Sequence, residues 1–98
     1  MKLEKISNGS DLTVKIIGRL DTTTAPQLDS FLRDSLAGVT SLLLDFSELE
    51  YLSSAGLRVL LATQKTMNKQ GNMVIKNVND TIMEVFDITG FVDILTIE

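Results

Sequence analysis

Leu42-Leu43-Leu44-Asp45-Phe46 constrains this chain more than any other stretch. Its apolar run Leu42-Leu43-Leu44, followed by Asp45-Phe46, is of strand length and reads as a central strand covered on both faces, and such a strand needs helices to cover it. Helical periodicity follows on either side. Leu28, Phe31, Leu32 and Leu36 recur at helical spacing after Pro26 and are ended by Gly38. Leu57, Leu60, Leu61 and Met67 give a second stripe from about Ser54 to Gln70, where Gly71-Asn72 stops it. Asn79 can cap a third helix carrying Ile82, Val85 and Phe86, ended by Gly90.

The remaining segments read as strands. Residues 12 to 17 alternate Leu12, Val14, Ile16 with Thr13, Lys15, Ile17, the period of a half-buried strand. Asn8-Gly9 is a hairpin-turn dipeptide, which makes Lys2 to Ser7 its partner strand. Met73-Val74-Ile75 is a further short strand, and Ile94 to Ile97 either adds a last one or docks. The expected fold is therefore α/β: a mixed sheet of about four to five strands with three helices packed against it, as a single domain over residues 1–98. The strands at 41–46 and 72–76 should be parallel, joined through the second helix.

Composition then removes chemistries. With no cysteine and no histidine the chain has no disulfide, thiolate metal site or neutral-pH imidazole shuttle. No metal, cofactor or catalytic residue is expected, and the chain reads as a binder more than an enzyme. Nine bases scattered among thirteen acids form no basic stripe for nucleic acid. No apolar run approaches the roughly 20 residues that span a bilayer, and Met1-Lys2-Leu3-Glu4-Lys5 does not lead into a signal segment, so a cytoplasmic location is expected.

One site is informative. Glu50-Tyr51-Leu52-Ser53-Ser54-Ala55-Gly56-Leu57 joins the central strand to the second helix. A serine at this turn faces helix N–H groups that have no partner within the helix, and their partial positive charge favours an oxygen or anion. The plainer reading is that Ser53 or Ser54 only caps the helix and Gly56 only allows close packing. Asp21 follows one strand and Asp45, with Ser47, follows the central one, so both acids are expected near Ser54 at the carboxyl ends of the strands. Asp21 as a helix cap and Asp45 as a turn residue are the structural alternatives.

Gly18-Arg19-Leu20-Asp21, Leu43-Leu44-Asp45-Phe46-Ser47, Tyr51-Leu52-Ser53-Ser54-Ala55-Gly56-Leu57 and Phe86-Asp87-Ile88-Thr89-Gly90-Phe91 together resemble the STAS domain family, specifically the bacterial anti-sigma factor antagonists. The motifs arrive in family order from about residue 12 to 97. The resemblance implies that a serine after the central strand is phosphorylated by a partner anti-sigma factor that is also a serine kinase. The matching position is Ser54, with Ser53 the alternative. Family members often carry aspartate before the acceptor and Ser or Thr after it, where this chain has Ser53 and Ala55. Asp21 matches the acid beside the acceptor, and the implied surroundings of the phosphosite and partner surface are Asp21, Thr22, Asp45, Ser47, Ser53, Ala55, Gly56 and Arg58.

The resemblance thus implies a partner switch. Unmodified, the protein captures the kinase and frees a sigma factor, and phosphorylated on Ser54 it lets go. The partner is a protein, with no nucleic acid or membrane insertion, and the chain is expected as a monomer or weak homodimer. The alternative within the same family is a constitutive subunit of a lipid-transport ATPase or signalling complex.

Overall fold

A computed structural model describes all 98 residues. Strand β1 (Lys2–Asn8) turns back through Gly9-Ser10 into the ten-residue β2 (Asp11–Leu20), pairing antiparallel. The hairpin turn sits one residue later than Asn8-Gly9 alone suggests. Asn8 is the last paired residue, opposite Asp11, and Gly9 takes the positive φ of 63° that the first loop position needs. Helix α1 (Ala25–Ser35), β3 (Ser41–Asp45), β4 (Leu49–Leu52), α2 (Ser54–Gln70), β5 (Asn72–Lys76), α3 (Asp80–Thr89) and a 3-10 turn over Phe91–Asp93 follow.

The sheet runs β1-β2-β3-β5, with β3 parallel to both β2 and β5. The parallel pair expected at 41–46 and 72–76 is present, reached through α2. Strand β4 is the element the apolar pattern does not reveal. It pairs parallel with the far half of β2, on the stretch that continues beyond β3. The C-terminal segment docks without forming a strand of its own, through a single bridge between Ile75 and Ile97.

Burial corrects one expectation. The central strand is covered on one face only. Leu42 and Leu44 are buried, whereas Ser41, Leu43 and Asp45 are half-buried on the opposite face. The same alternation in β2 buries Leu12, Val14 and Ile16 and leaves Thr13, Lys15 and Ile17 half-exposed. All three helices therefore cover one side, where Leu28, Leu32, Leu57, Leu60, Met67, Ile82 and Phe86 join a 23-residue cluster. Each large side chain fully buried there contributes about 1.5–3 kcal/mol. Phe46, just past β3, meets Phe86 of α3 at 6.4 Å between ring centres.

The open face is organised by register. Ile6, Thr13, Leu43 and Val74 stand opposite one another across four strands, and two residues along stand Glu4, Lys15, Asp45 and Lys76. The second row alternates in charge across the whole sheet. Lys15 also bonds Glu48, and this hydrogen bond, with the nearby carboxylates of Asp45 and Glu4, raises its pKa against a smaller opposing effect of burial.

Candidate functional site

The second helix begins where β2 and β4 end together. A register shift between Gly18 and Arg19 places Leu49 opposite Gly18 but Tyr51 opposite Arg19 and Leu52 opposite Leu20, so Glu50 is the extra residue of a bulge. Gly18 adopts φ 100° there, a conformation that suits glycine. One further rung, Ser53 N–H to the Leu20 carbonyl at 2.9 Å, ties the start of the helix to the end of β2.

Ser53 is then the N-cap. Its backbone is extended (φ −99°, ψ 174°), its carbonyl accepts from Leu57 N–H at 3.0 Å, and its Oγ accepts from Gly56 N–H at 3.5 Å. Ser54 is the first helical residue and is exposed. Of the two serines, Ser53 is turned inward to its own helix, and Ser54 is the exposed one. Ala55 is half-buried and Arg58 exposed, while Gly56 and Leu57 are buried. Gly56 lies so close to the sheet that a β-carbon on it would fall 2.7 Å from both Leu20 Cγ and Leu52 Cδ1.

Asp21 follows Leu20 and is spent on the entry to α1. Its Oδ1 accepts from Thr23 N–H at 3.0 Å, Thr23 hydroxyl at 2.8 Å and Thr24 N–H at 3.2 Å, and its carbonyl accepts from Ala25 N–H at 2.8 Å. The Thr23 hydroxyl, with the Thr24 and Thr23 amides, holds its carboxyl below the usual aspartate range despite some desolvation. Its Oδ2 is 3.7 Å from Arg19 Nε, and the Arg19 guanidinium lies 4.2 Å from the centre of the Tyr51 ring. Thr22 is exposed on this turn. Neither Arg19 nor Tyr51 stands out by sequence spacing, because their stacking depends on the β2–β4 pairing.

The expectation that both acids flank Ser54 is corrected for Asp45. The rung from Ser53 to Leu20 puts Asp21 beside the helix start, but Asp45 is in register with Lys15, six residues back along β2 or about 20 Å at strand rise. Asp45 serves the charge row and its own turn, accepting from Ser47 N–H at 2.9 Å and Asn77 Nδ2 at 3.0 Å. Partial burial pushes its pKa up. The Asn77 and Ser47 hydrogen bonds, helped by Lys15, outweigh that and leave it lowered. Ser47 is exposed in the same turn, away from Ser54.

Two concavities mark the surface, and neither is lined by Asp21, Ser53 or Ser54. One of about 410 Å³ runs between α1 and α2 past Arg33 and Gln70, and the other lies by Gly18, Glu48 and Asn79. The Ser54 corner therefore lies outside both concavities.

The STAS domain family matches residues 2–98. The anti-sigma-B factor antagonist of Bacillus subtilis (strain 168) is 33% identical over 91 residues, covering 92% of this chain and 84% of that protein. Among solved structures, an anti-sigma factor antagonist from Mycobacterium paratuberculosis superposes with a TM-score of 0.88 at 23% identity, covering 98% of this chain and 83% of that one. The Bacillus cell fate determinant SpoIIAA in its phosphorylated form superposes at 0.74 with 19% identity, over 99% and 89% of the two chains. With its one-sided mixed sheet, its serine-capped second helix and these relatives, the chain belongs to the STAS domain family.

Proposed function

We propose that this protein is an anti-sigma factor antagonist that binds an anti-sigma factor serine kinase in its unmodified state and releases it once Ser54 is phosphorylated. The observation that carries this reading is the division of labour between adjacent serines: Ser53 caps α2, and Ser54 is exposed at the first helical position. In the transfer, the γ-phosphoryl group of ATP held by the partner passes to Ser54 Oγ, the hydroxyl proton is lost and ADP leaves. This chain contributes the acceptor and the surface, and the partner contributes the catalytic groups. Both proteins would work in the cytoplasm.

The switch is electrostatic. Phosphate adds about −1.5 to −2 charges at pH 7. A helix N-terminus accommodates that charge locally, so no refolding is needed, but a partner packed on this corner faces a desolvated anion. A loss of about 3 kcal/mol at the interface lowers affinity by about two orders of magnitude. The aspartate that often precedes the acceptor in resembling proteins is replaced by Ser53, which supplies the capping oxygen without the charge.

The test is to incubate the protein with an anti-sigma factor serine kinase and ATP, map the phosphate, and measure partner affinity. Phosphate on Ser54 is expected, with Ser54→Ala binding like the wild type and Ser54→Asp more weakly. No modification at either serine, or equal affinity of the two variants, overturns the switch. Co-purification with a lipid-transport ATPase and no phosphate would replace it with a constitutive subunit.

A further inference from the structure

Helix α2 carries Arg58, Lys65 and Lys69 and no Asp or Glu from Ser54 to Gln70, in a chain whose acids outnumber its bases thirteen to nine. All three cations are exposed and, with Ser54, recur at the helical period along one side of α2. Arg58 follows Ser54 by four residues, the spacing at which side chains on one helix are neighbours, with β-carbons about 5–6 Å apart. The order also matters, because an anion placed N-terminal to a cation at this spacing pairs better than the reverse.

The other two arginines are engaged. Arg19 pairs with Asp21 and stacks on Tyr51, and Arg33 Nε lies 3.0 Å from Asp29. Arg58 takes part in none of the ion pairs of the molecule. The ionisable groups at the paired ends of β2 and β4 are Asp21 and Arg19, which hold each other, and Glu50 and Tyr51 on β4.

Resting on the reading of Ser54 as phosphoacceptor, we propose that Arg58 is the intramolecular counterion of the phosphorylated serine. Its planar guanidinium can give a phosphate two parallel N–H···O bonds. Before modification this corner shows a neutral hydroxyl and an outward cation. Afterwards the cation is turned onto the phosphate, so the partner meets a new anion and also loses a positive group. Lys65 cannot take this role, since eleven residues of helix separate it from Ser54, about 16 Å, beyond the Debye length of about 8 Å at physiological salt.

Phosphoserine placed at position 54 by genetically encoded incorporation, followed by a ³¹P NMR titration of its second ionisation, tests the assignment. Because no kinase is used, the titration is read independently of whether the proposed partner modifies Ser54. Against an ordinary value near 6, Arg58→Gln is expected to raise the phosphate pKa by about 0.4 pH unit. Arg58→Lys should recover only part of that shift, because an ammonium restores the charge without the two parallel bonds, Lys65→Gln should leave the titration unchanged, and molar salt should erase the difference. A phosphate pKa indifferent to Arg58→Gln, or raised as much by Lys65→Gln, overturns the proposal.

Discussion

Ser53 and Asp21 show how two short polar side chains can fix a surface without taking part in its chemistry. Ser53 ends the last rung with β2 and caps α2 in the same residue. Ser53→Ala is therefore expected to cost about 1 kcal/mol, read as a lower urea midpoint, and Ser53→Asp to leave stability at or above wild type because a carboxylate caps as well and favours the helix dipole. Asp21 titrates in the opposite sense to a buried acid. Its folded pKa is lowered by the Thr23 and Thr24 donors, so its ionisation stabilises the fold above the unfolded value of about 3.9 and that contribution fades as pH falls through the lower folded value. Asp21→Asn keeps one acceptor oxygen and removes the charge. Its stability deficit should be full at neutral pH and close progressively below about pH 4 in urea titrations; a gap that stays constant down to the acid transition would contradict this account.

At the scale of elements, the periodic helices were legible and the fourth strand was not. Asn79 and Gly90 bound α3 as their chemistry dictates, with Asn79 Oδ1 accepting from Ile82 N–H at 2.9 Å and Gly90 in the left-handed region at φ 79°. Gly71 follows the end of α2 and is needed there for packing, because a β-carbon on it would fall 1.8 Å from the Thr40 carbonyl oxygen. Leu49-Glu50-Tyr51-Leu52 buries only its end residues and leaves Glu50 and Tyr51 exposed, since its bulge breaks the two-residue alternation that marks a strand. The Leu42–Leu44 run misled in the other direction: Leu43 is as apolar as its neighbours but stands on the open face, beside Thr13 and Val74. Asp45 was misplaced for the same reason as β4, because an unseen strand separates the end of β3 from the start of α2. The packing of α2 on these strands gives a sharper check. Gly56→Ala gains about 1 kcal/mol of helix propensity but forces Leu20 and Leu52 aside, an overpacking worth about 1–3 kcal/mol. A net loss of stability of about 1 kcal/mol is expected in urea unfolding, with no change in helix content by circular dichroism.

For the whole molecule, the asymmetry of the sheet matters most. One face holds the core, and the other is a graded surface of apolar and charge-alternating rows that no helix covers. The free edge at β1 opposes one pairing with a second copy. Two-fold pairing centred on this strand's midpoint sets Lys5 against Lys5, and like charges directly opposite are unfavourable. The protein should run as a monomer of 10.8 kDa in light scattering at tens of micromolar concentration, and Lys5→Val should raise its tendency to self-associate. A stable wild-type dimer would show that another face is used.

Strand β2 spends its first half on β3 and its second half on β4, so the serine corner hangs from β2 and not from the connection that leads to it. Ser47 and Glu48 are exposed at the crossing between the two, and lengthening a surface loop costs only about 0.6 kcal/mol for each doubling. Extra chain at that junction would in addition have to spare the bonds it makes, Leu49 N–H to the Phe46 carbonyl at 3.0 Å and Gly18 N–H to the Glu48 carbonyl at 2.9 Å, for the apparatus at Ser53 and Ser54 to stay anchored to its own beam.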